Sequence, residues 1–253
     1  MENYDSPQDK IIKLKKWAII HGIDEVKLHK VFAMLDLGKR GERTNDDPIQ
    51  FPAWSIEDKD AAAWHDPKQY YWTRILEDNY EVIKEEAEKI FREDLMDAHP
   101  ENDDLAGYGT WNTFFFYKNG AKDSNNHGKC PNTSRILTKI AGVDIAGRTY
   151  FSAMTPGIHI KPHCGPHNFK LRTHLGIVTT PQATIRVANE IRTWPQGKCI
   201  VFDDSFEHEV WNKSDITRIV LIVDVWNPIL SSEEIMALEY VMPEFYQRIE
   251  VGE

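Results

Sequence analysis

Residues Thr149-Tyr150-Phe151-Ser152-Ala153-Met154, then Pro156-Gly157, then Ile158-His159-Ile160-Lys161-Pro162-His163, read as two short strands around a turn. Aromatic and β-branched side chains suit a pleated, half-buried surface, and a Pro-Gly step suits a tight turn. The same texture continues through residues 171–178, 184–188, 199–202, 208–211 and 216–226, broken by Gly165-Pro166 and Pro195-Gln196-Gly197. Many short runs at close spacing predict an antiparallel sandwich or barrel.

Working upstream, residues 110–117 are aromatic and β-prone, and Pro131-Asn132 announces a short helix over 133–140. Before that the chain reads helical. Ile11, Leu14, Trp17 and Ala18 place a stripe on a helix over 10–20 that His21-Gly22 ends. Val26, Leu28, Val31, Phe32 and Leu35 suggest a second helix over 24–37, stopped by Gly38. Residues 40–52, with Asn45-Asp46-Asp47-Pro48, read as a linker or surface loop. A third helix is predicted over 79–98, with Asp78 and Glu81 as a capping box and Ile83, Ala87, Ile90 and Phe91 as its buried face. The loop from Pro100 to Asp104 is expected to stop it. The predicted organisation is a helical region over 1–107 packed on a β core over 108–253.

With 253 residues, 41% of them hydrophobic and 28% charged, the chain can bury a core and is neither disordered nor fibrous. No apolar run nears the ~20 residues of a membrane span, and the acidic start from Met1 to Asp5 has no leader character. Three cysteines without a CxxC pair (Cys130, Cys164 and Cys199) suggest neither a disulfide framework nor a zinc knuckle, so a reducing cytoplasm is expected. The net charge is −10, and residues 1–107 hold 25 acids against 15 bases while the remainder hold 15 of each. Nucleic-acid binding through a broad basic surface is therefore disfavoured, and small anionic ligands are left open to the neutral part.

Five of ten histidines lie between positions 159 and 208: His159, His163, His167, His174 and His208. Imidazole is the commonest metal-binding side chain. The i, i+4, i+8 spacing of the first three would make one helical face, but Pro156, Gly157, Pro162, Gly165 and Pro166 exclude a helix. On an extended strand His159 and His163 share a face, with His167 beyond a turn. His208 sits in the acidic run Asp203-Asp204-Ser205-Phe206-Glu207-His208-Glu209, whose carboxylates could orient an imidazole. Arg218 opens the apolar run 219–223 and needs an anion there. Either a ligand carboxylate or an ion pair with Asp215 or Asp224 would satisfy it. Trp54, Trp64 and Trp72 read as core packing or pocket wall, Glu85, Glu86 and Glu88 as a solvated helix face, and Cys164 as a small buried neighbour. No phosphate-cradling glycine loop, Ser–His–Asp signature or HExxH helix is present.

Taken in order, Pro156-Gly157-Ile158-His159-Ile160-Lys161-Pro162-His163-Cys164-Gly165-Pro166, Leu171-Arg172-Thr173-His174-Leu175-Gly176, Ala188-Asn189-Glu190, Phe202-Asp203-Asp204-Ser205-Phe206-Glu207-His208-Glu209-Val210-Trp211 and Val223-Asp224-Val225-Trp226-Asn227-Pro228 resemble the catalytic domain of the aspartyl/asparaginyl β-hydroxylase family. The resemblance runs from about Trp111 to Pro228. It implies a double-stranded β-helix, or jelly-roll, with flanking helices, and an Fe(II)- and 2-oxoglutarate-dependent dioxygenase that uses O2. It implies His163 and His208 as metal ligands. Gly165 stands where the wider superfamily has a carboxylate ligand, with water expected in the open coordination site and Asp204 holding that water. Ser152, Arg172, His174 and Arg218 match cosubstrate-binding positions, with Arg218 the expected partner of the distal carboxylate.

Trp111, Thr113 and Lys170 match substrate-pocket positions. Lys170 replaces an expected arginine and Thr113 an expected glutamine, so an aspartyl side chain is possible but not favoured. The helical-repeat domain that accompanies the animal enzyme is absent from the sequence, so modification of secreted growth-factor-like domains is not expected. The expected activity is hydroxylation of an unactivated carbon of a small molecule, amino acid or peptide. The alternatives are a halogenase that uses the site left open at Gly165, and a non-catalytic metal- or ligand-binding jelly-roll.

Overall fold

In the computed structural model, residues 6–41, 44, 47–106 and 108–242 are described. The acidic start (1–5), Asn45 and Asp46 of the expected linker, and Gly107 at the expected boundary lie outside them. The helices are α1 (Pro7–His21), α2 (His29–Leu37), α3 (Tyr71–Asp78), α4 (Tyr80–Arg92), α5 (Asn102–Leu105), α6 (Ser124–Lys129), α7 (Pro131–Leu137) and α8 (Ser232–Val241). The strands are β1 (Trp64–His65), β2 (Asp97–Ala98), β3 (Trp111–Lys118), β4 (Ala121–Lys122), β5 (Arg148–Met154), β6 (His159–His163), β7 (Lys170–Val178), β8 (Ala183–Val187), β9 (Glu190–Arg192), β10 (Cys199–Phe202), β11 (His208–Asn212) and β12 (Arg218–Trp226).

They form an eight-stranded sheet in the order β1-β10-β7-β12-β5-β3-β2, with β4 on β3, and a four-stranded sheet β6-β11-β8-β9. Within β5–β12 the first strand pairs with the last, β6 with β11, β7 with β10 and β8 with β9, all antiparallel. A long hairpin rolled over two sheets gives this pattern, and it is the expected jelly-roll.

Strand alternation sorts the side chains. One face of the large sheet, with Phe114, Phe116, Phe151, Leu171, Leu175, Leu221 and Val223, packs beneath α3, α4 and α7. The inner face, with Tyr150, Met154, Phe202, Val220 and Ile222, meets Ile160, Ile185, Val187 and Val210 of the small sheet. A third core joins α1, α2 and α8 through Leu14, Trp17, Val31, Leu35 and Leu238, with Trp54 and Phe169. Trp54, Trp64 and Trp72 thus sit in three separate packing regions. Among the described residues, no helix is long and apolar enough to cross a membrane.

Local chemistry explains the helix ends and the departures from expectation. Ser6 and Asp9 cap α1 reciprocally, and Gly22, at φ 64°, closes it in the left-handed region that glycine tolerates. The second predicted helix is split, because residues 25–28 form a 3-10 turn before α2. Asp78 ends α3 instead of capping the next helix; Asn79 is the cap residue, and its Nδ2 donates to the carbonyl of Ile75. The helix predicted to reach residue 98 stops at Arg92, and Asp97–Ala98 pairs with β3. Phe91 is 38% exposed, so it is not a core residue. Glu86 is not simply solvated: its carboxylate accepts the N–H groups of Asn132 and Thr133 and thereby caps α7.

Candidate active site

Strands β6 and β11 lie side by side with His163 opposite His208. Their rings are 4.2 Å apart between centroids, at 53° to each other. Each Nδ1 meets a backbone carbonyl, of Lys161 at 2.8 Å for His163 and of Phe206 at 3.0 Å for His208. A carbonyl can only accept, so both Nδ1 atoms carry the proton and both Nε2 atoms keep a lone pair. Burial pushes both imidazoles below their usual pKa, and the neighbouring ring pushes His208 further. Two neutral imidazoles with fixed tautomers are what a divalent metal requires.

The expectation that His159 and His163 share a face is corrected. The pairing runs Trp211↔His159 and Val210↔Ile160, then slips to His208↔His163, and the irregularity turns the strand between them. His159 consequently stacks on Trp211 and bonds Glu209, away from the pair. His167 stacks on Phe169 and is pushed down to about 3 by burial. Among the described residues, no cluster of three or more His, Cys, Asp or Glu is placed to hold a metal.

Beside the pair, the amide of Gly165 donates to the carbonyl of Asp204 at 2.6 Å. A Cβ on Gly165 would lie 2.8 Å from both Cγ and Oδ1 of Asp204, so the place of a side chain here is already filled by that carboxylate. Asp204 Oδ2 bonds Lys170 Nζ at 2.5 Å and Arg172 Nη1 at 3.0 Å, while Oδ1 is buried without a partner. Burial would raise the Asp204 pKa, but Arg172 and Lys170 override it and hold the carboxyl well below the usual range. Arg172 also grips Asp224 through Nε at 2.8 Å and Nη2 at 2.9 Å. Lys170 therefore does not present a free charge to a substrate, and Arg172, unlike the other expected cosubstrate residues, is ion-paired, although its charge still reaches His174. Nearby aspartates hold both.

Those other residues do converge. Ser152 Oγ accepts from Trp111 Nε1 at 3.0 Å and from Arg218 Nη1 at 3.4 Å. Trp194 Nε1 donates to His174 Nδ1 at 3.1 Å, which leaves the His174 proton on Nε2, buried and unpartnered. The Arg218 guanidinium lies 4.6 Å from the Trp194 ring centre and touches Met154 Sδ. Its Nε has no partner, and it pairs with neither Asp215 nor Asp224. Burial brings its pKa down to about 9. Thr113 lies opposite Ser152 on β3 and bonds the carbonyl of Asp97, closing β2 on β3.

Three features were not read from the sequence. Residues 49–56 strap both histidine loops: Trp54 N bonds Pro166 O, Phe51 N bonds Ser205 O, and Glu207 N bonds Ile49 O. Gln50 Nε2 adds bonds to Asp203 Oδ2 and Ser205 Oγ. His99 stacks flat on Trp111 at 3.4 Å, accepts the amide of Glu101 at Nδ1, and has an unpartnered Nε2. Arg148 bonds Glu101 at 2.9 Å. Only Pro-flanked His99 offered a local signal. The cavity enclosing His163, His208, Asp204, Lys170 and Arg172 measures about 420 Å³. A larger groove of about 760 Å³ around Tyr70, Arg74 and Lys198 contains no histidine.

Residues 77–228 match the family described as Aspartyl/Asparaginyl beta-hydroxylase. The aspartyl/asparaginyl beta-hydroxylase of Mus musculus is 36% identical over 187 residues, covering 72% of this chain and 25% of the mouse protein. The ornithine lipid ester-linked acyl 2-hydroxylase of Rhizobium tropici is 37% identical over 175 residues, covering 66% of this chain and 61% of that protein. The match therefore spans a quarter of the mouse protein and under two thirds of the rhizobial one. Among solved structures, a Pseudomonas putida prolyl-4-hydroxylase aligns over 62% of this chain and 99% of its own, at 11% identity and a TM-score of 0.38.

Proposed function

The chain belongs to the aspartyl/asparaginyl β-hydroxylase family, and we propose that it is an Fe(II)- and 2-oxoglutarate-dependent oxygenase that hydroxylates an unactivated carbon of a small molecule, amino acid or peptide. The observation that carries this reading is the pairing of two free imidazole Nε2 atoms with a buried arginine that has no anion.

The donor set fits both groups. His163 and His208 would hold the metal, with the protons fixed on the far side of each ring. Arg218, the hydroxyl of Ser152 and the Nε2–H of His174 offer three donors where the described residues supply no carboxylate, which suits the distal end of a diacid. When bound, iron and the cosubstrate supply the oxidising chemistry; the protein orients the target and excludes water. Asp204 Oδ1, buried beside Gly165 without a partner, can accept a hydrogen bond from a small molecule that carries a donor proton. Water has such a proton and a halide does not, so the carboxylate supports hydroxylation over halogenation. Three free cysteines, two of them buried, support a reducing cytoplasm as the setting.

The test is a screen of candidate substrates for stimulated succinate release from 2-oxoglutarate, with mass analysis of the product. A gain of one oxygen is expected, with or without added bromide. A brominated product, or no conversion of 2-oxoglutarate by folded, iron-loaded protein with any candidate, would overturn the reading.

A further inference from the structure

The cavity carries three cations and three anions: Arg148, Lys170 and Arg172 against Glu101, Asp204 and Asp224. Lys170–Asp204 and Arg172–Asp224 are two pairs cross-linked through Arg172–Asp204 and Lys170–Asp224, and Arg148–Glu101 is the third. The first two pairs are dry, with side chains no more than 14% exposed. The third is wet, at 25% for Arg148 and 40% for Glu101. Opening a dry pair strands a buried charge, whereas a solvated pair contributes little and exchanges readily. An incoming ligand is therefore read first by Glu101 and Arg148.

The backbone of this wet pair is fixed. The amide of Arg148 donates to Asp224 Oδ2 at 3.0 Å, and the amide of Glu101 to His99 Nδ1 at 3.1 Å. Only the side-chain ends are free to change partner. A ligand with one charge would satisfy one of them and leave the other alone beside the cavity. A ligand with both charges re-pairs both. An acyl chain would instead desolvate charged walls without replacing their hydrogen bonds.

We propose that the substrate is a small zwitterion, whose carboxylate is taken by Arg148 and whose ammonium is taken by Glu101. About 420 Å³ is within the range of small-molecule sites. The assignment rests on the oxygenase reading for the chemistry after binding, but not for binding itself.

Calorimetry on the full chain loaded with Zn(II) and 2-oxoglutarate tests it. The probes are the free protein α-amino acids and ornithine, with the N-acetyl and carboxamide derivatives of those that bind. At least one free amino acid should bind, and capping either end should weaken it tenfold or more. Glu101→Gln should remove only the discrimination against the acetyl cap, and Arg148→Gln only that against the amide cap. Absence of binding by every free amino acid, caps without effect on the unaltered chain, or discrimination that persists in both variants would overturn the proposal. Protein that binds neither Zn(II) nor 2-oxoglutarate yet still discriminates the caps would defeat the oxygenase reading and leave this assignment standing.

Discussion

The backbone N–H of Gly165 donates to the carbonyl of Asp204 across 2.6 Å, and this bond ties the loop after His163 to the loop before His208. The two imidazoles meet because these loops meet. The same closeness leaves no room for a Cβ at position 165.

Gly165→Ala should therefore be destabilising despite its small size. The added methyl would lie 2.8 Å from the Asp204 carboxylate, which is pinned by Lys170 and Arg172. A loss of about 1–3 kcal/mol is expected for overpacking at such a point. Chemical denaturation measures it, and an unchanged midpoint would contradict the packing described.

Arg218→Met should separate stability from ligand binding. Burial pushes the guanidinium pKa down to about 9, and no anion compensates it. Replacing an uncompensated buried charge by a side chain of similar volume is neutral or stabilising in the ligand-free protein. The same change should weaken 2-oxoglutarate binding by about 2–5 kcal/mol, as loss of a buried charge partner does. Thermal melting and calorimetry on one preparation test both halves.

Acid should unfold the protein partly through its histidines. Burial pushes His99 and His167 down to about 3, whereas an unfolded imidazole titrates near 6.5. Between those values the unfolded chain holds more protons, so stability falls as pH falls from about 6.5 towards 3 and has no slope from these groups above 6.5. His167→Gln should flatten denaturation midpoints over that window, and an unchanged slope would show that His167 titrates normally.

Gln50→Ala should loosen the strap without reaching the cavity. It removes bonds of 3.2 Å to Asp203 Oδ2 and 2.9 Å to Ser205 Oγ, each worth about 1 kcal/mol. Loss of metal to a chelator should be faster, with the histidines untouched.

What could be read in advance was what local pattern controls. Residues 199–202 form β10 at the predicted bounds, and the other six predicted strands lie within two residues of theirs, because alternation and turn residues set them. Helix α8 carries a local start signal, the capping box of Ser231 and Glu234, that lies beyond the strand pattern. Helix α3 is not legible locally, because Tyr71 to Asp78 has no side-chain cap and merges with the pattern of α4. The slip in β6 pairing that separates His159 from His163 is set by the partner strand, so spacing along one chain could not show it. Likewise Arg172 finds Asp224 across 52 positions on a neighbouring strand. The resemblance singled out Arg172 as a residue type, and only the pairing of β7 with β12 reveals what it holds.

The most direct measurement is an anaerobic titration of the full chain with Fe(II) and 2-oxoglutarate, monitored by visible absorption. A metal-to-ligand charge-transfer band that requires both additions is expected, and His163→Ala, His208→Ala and Arg218→Met should each lose it at concentrations that saturate the unaltered chain. Folded protein that shows no band, or a band indifferent to all three substitutions, would contradict the account.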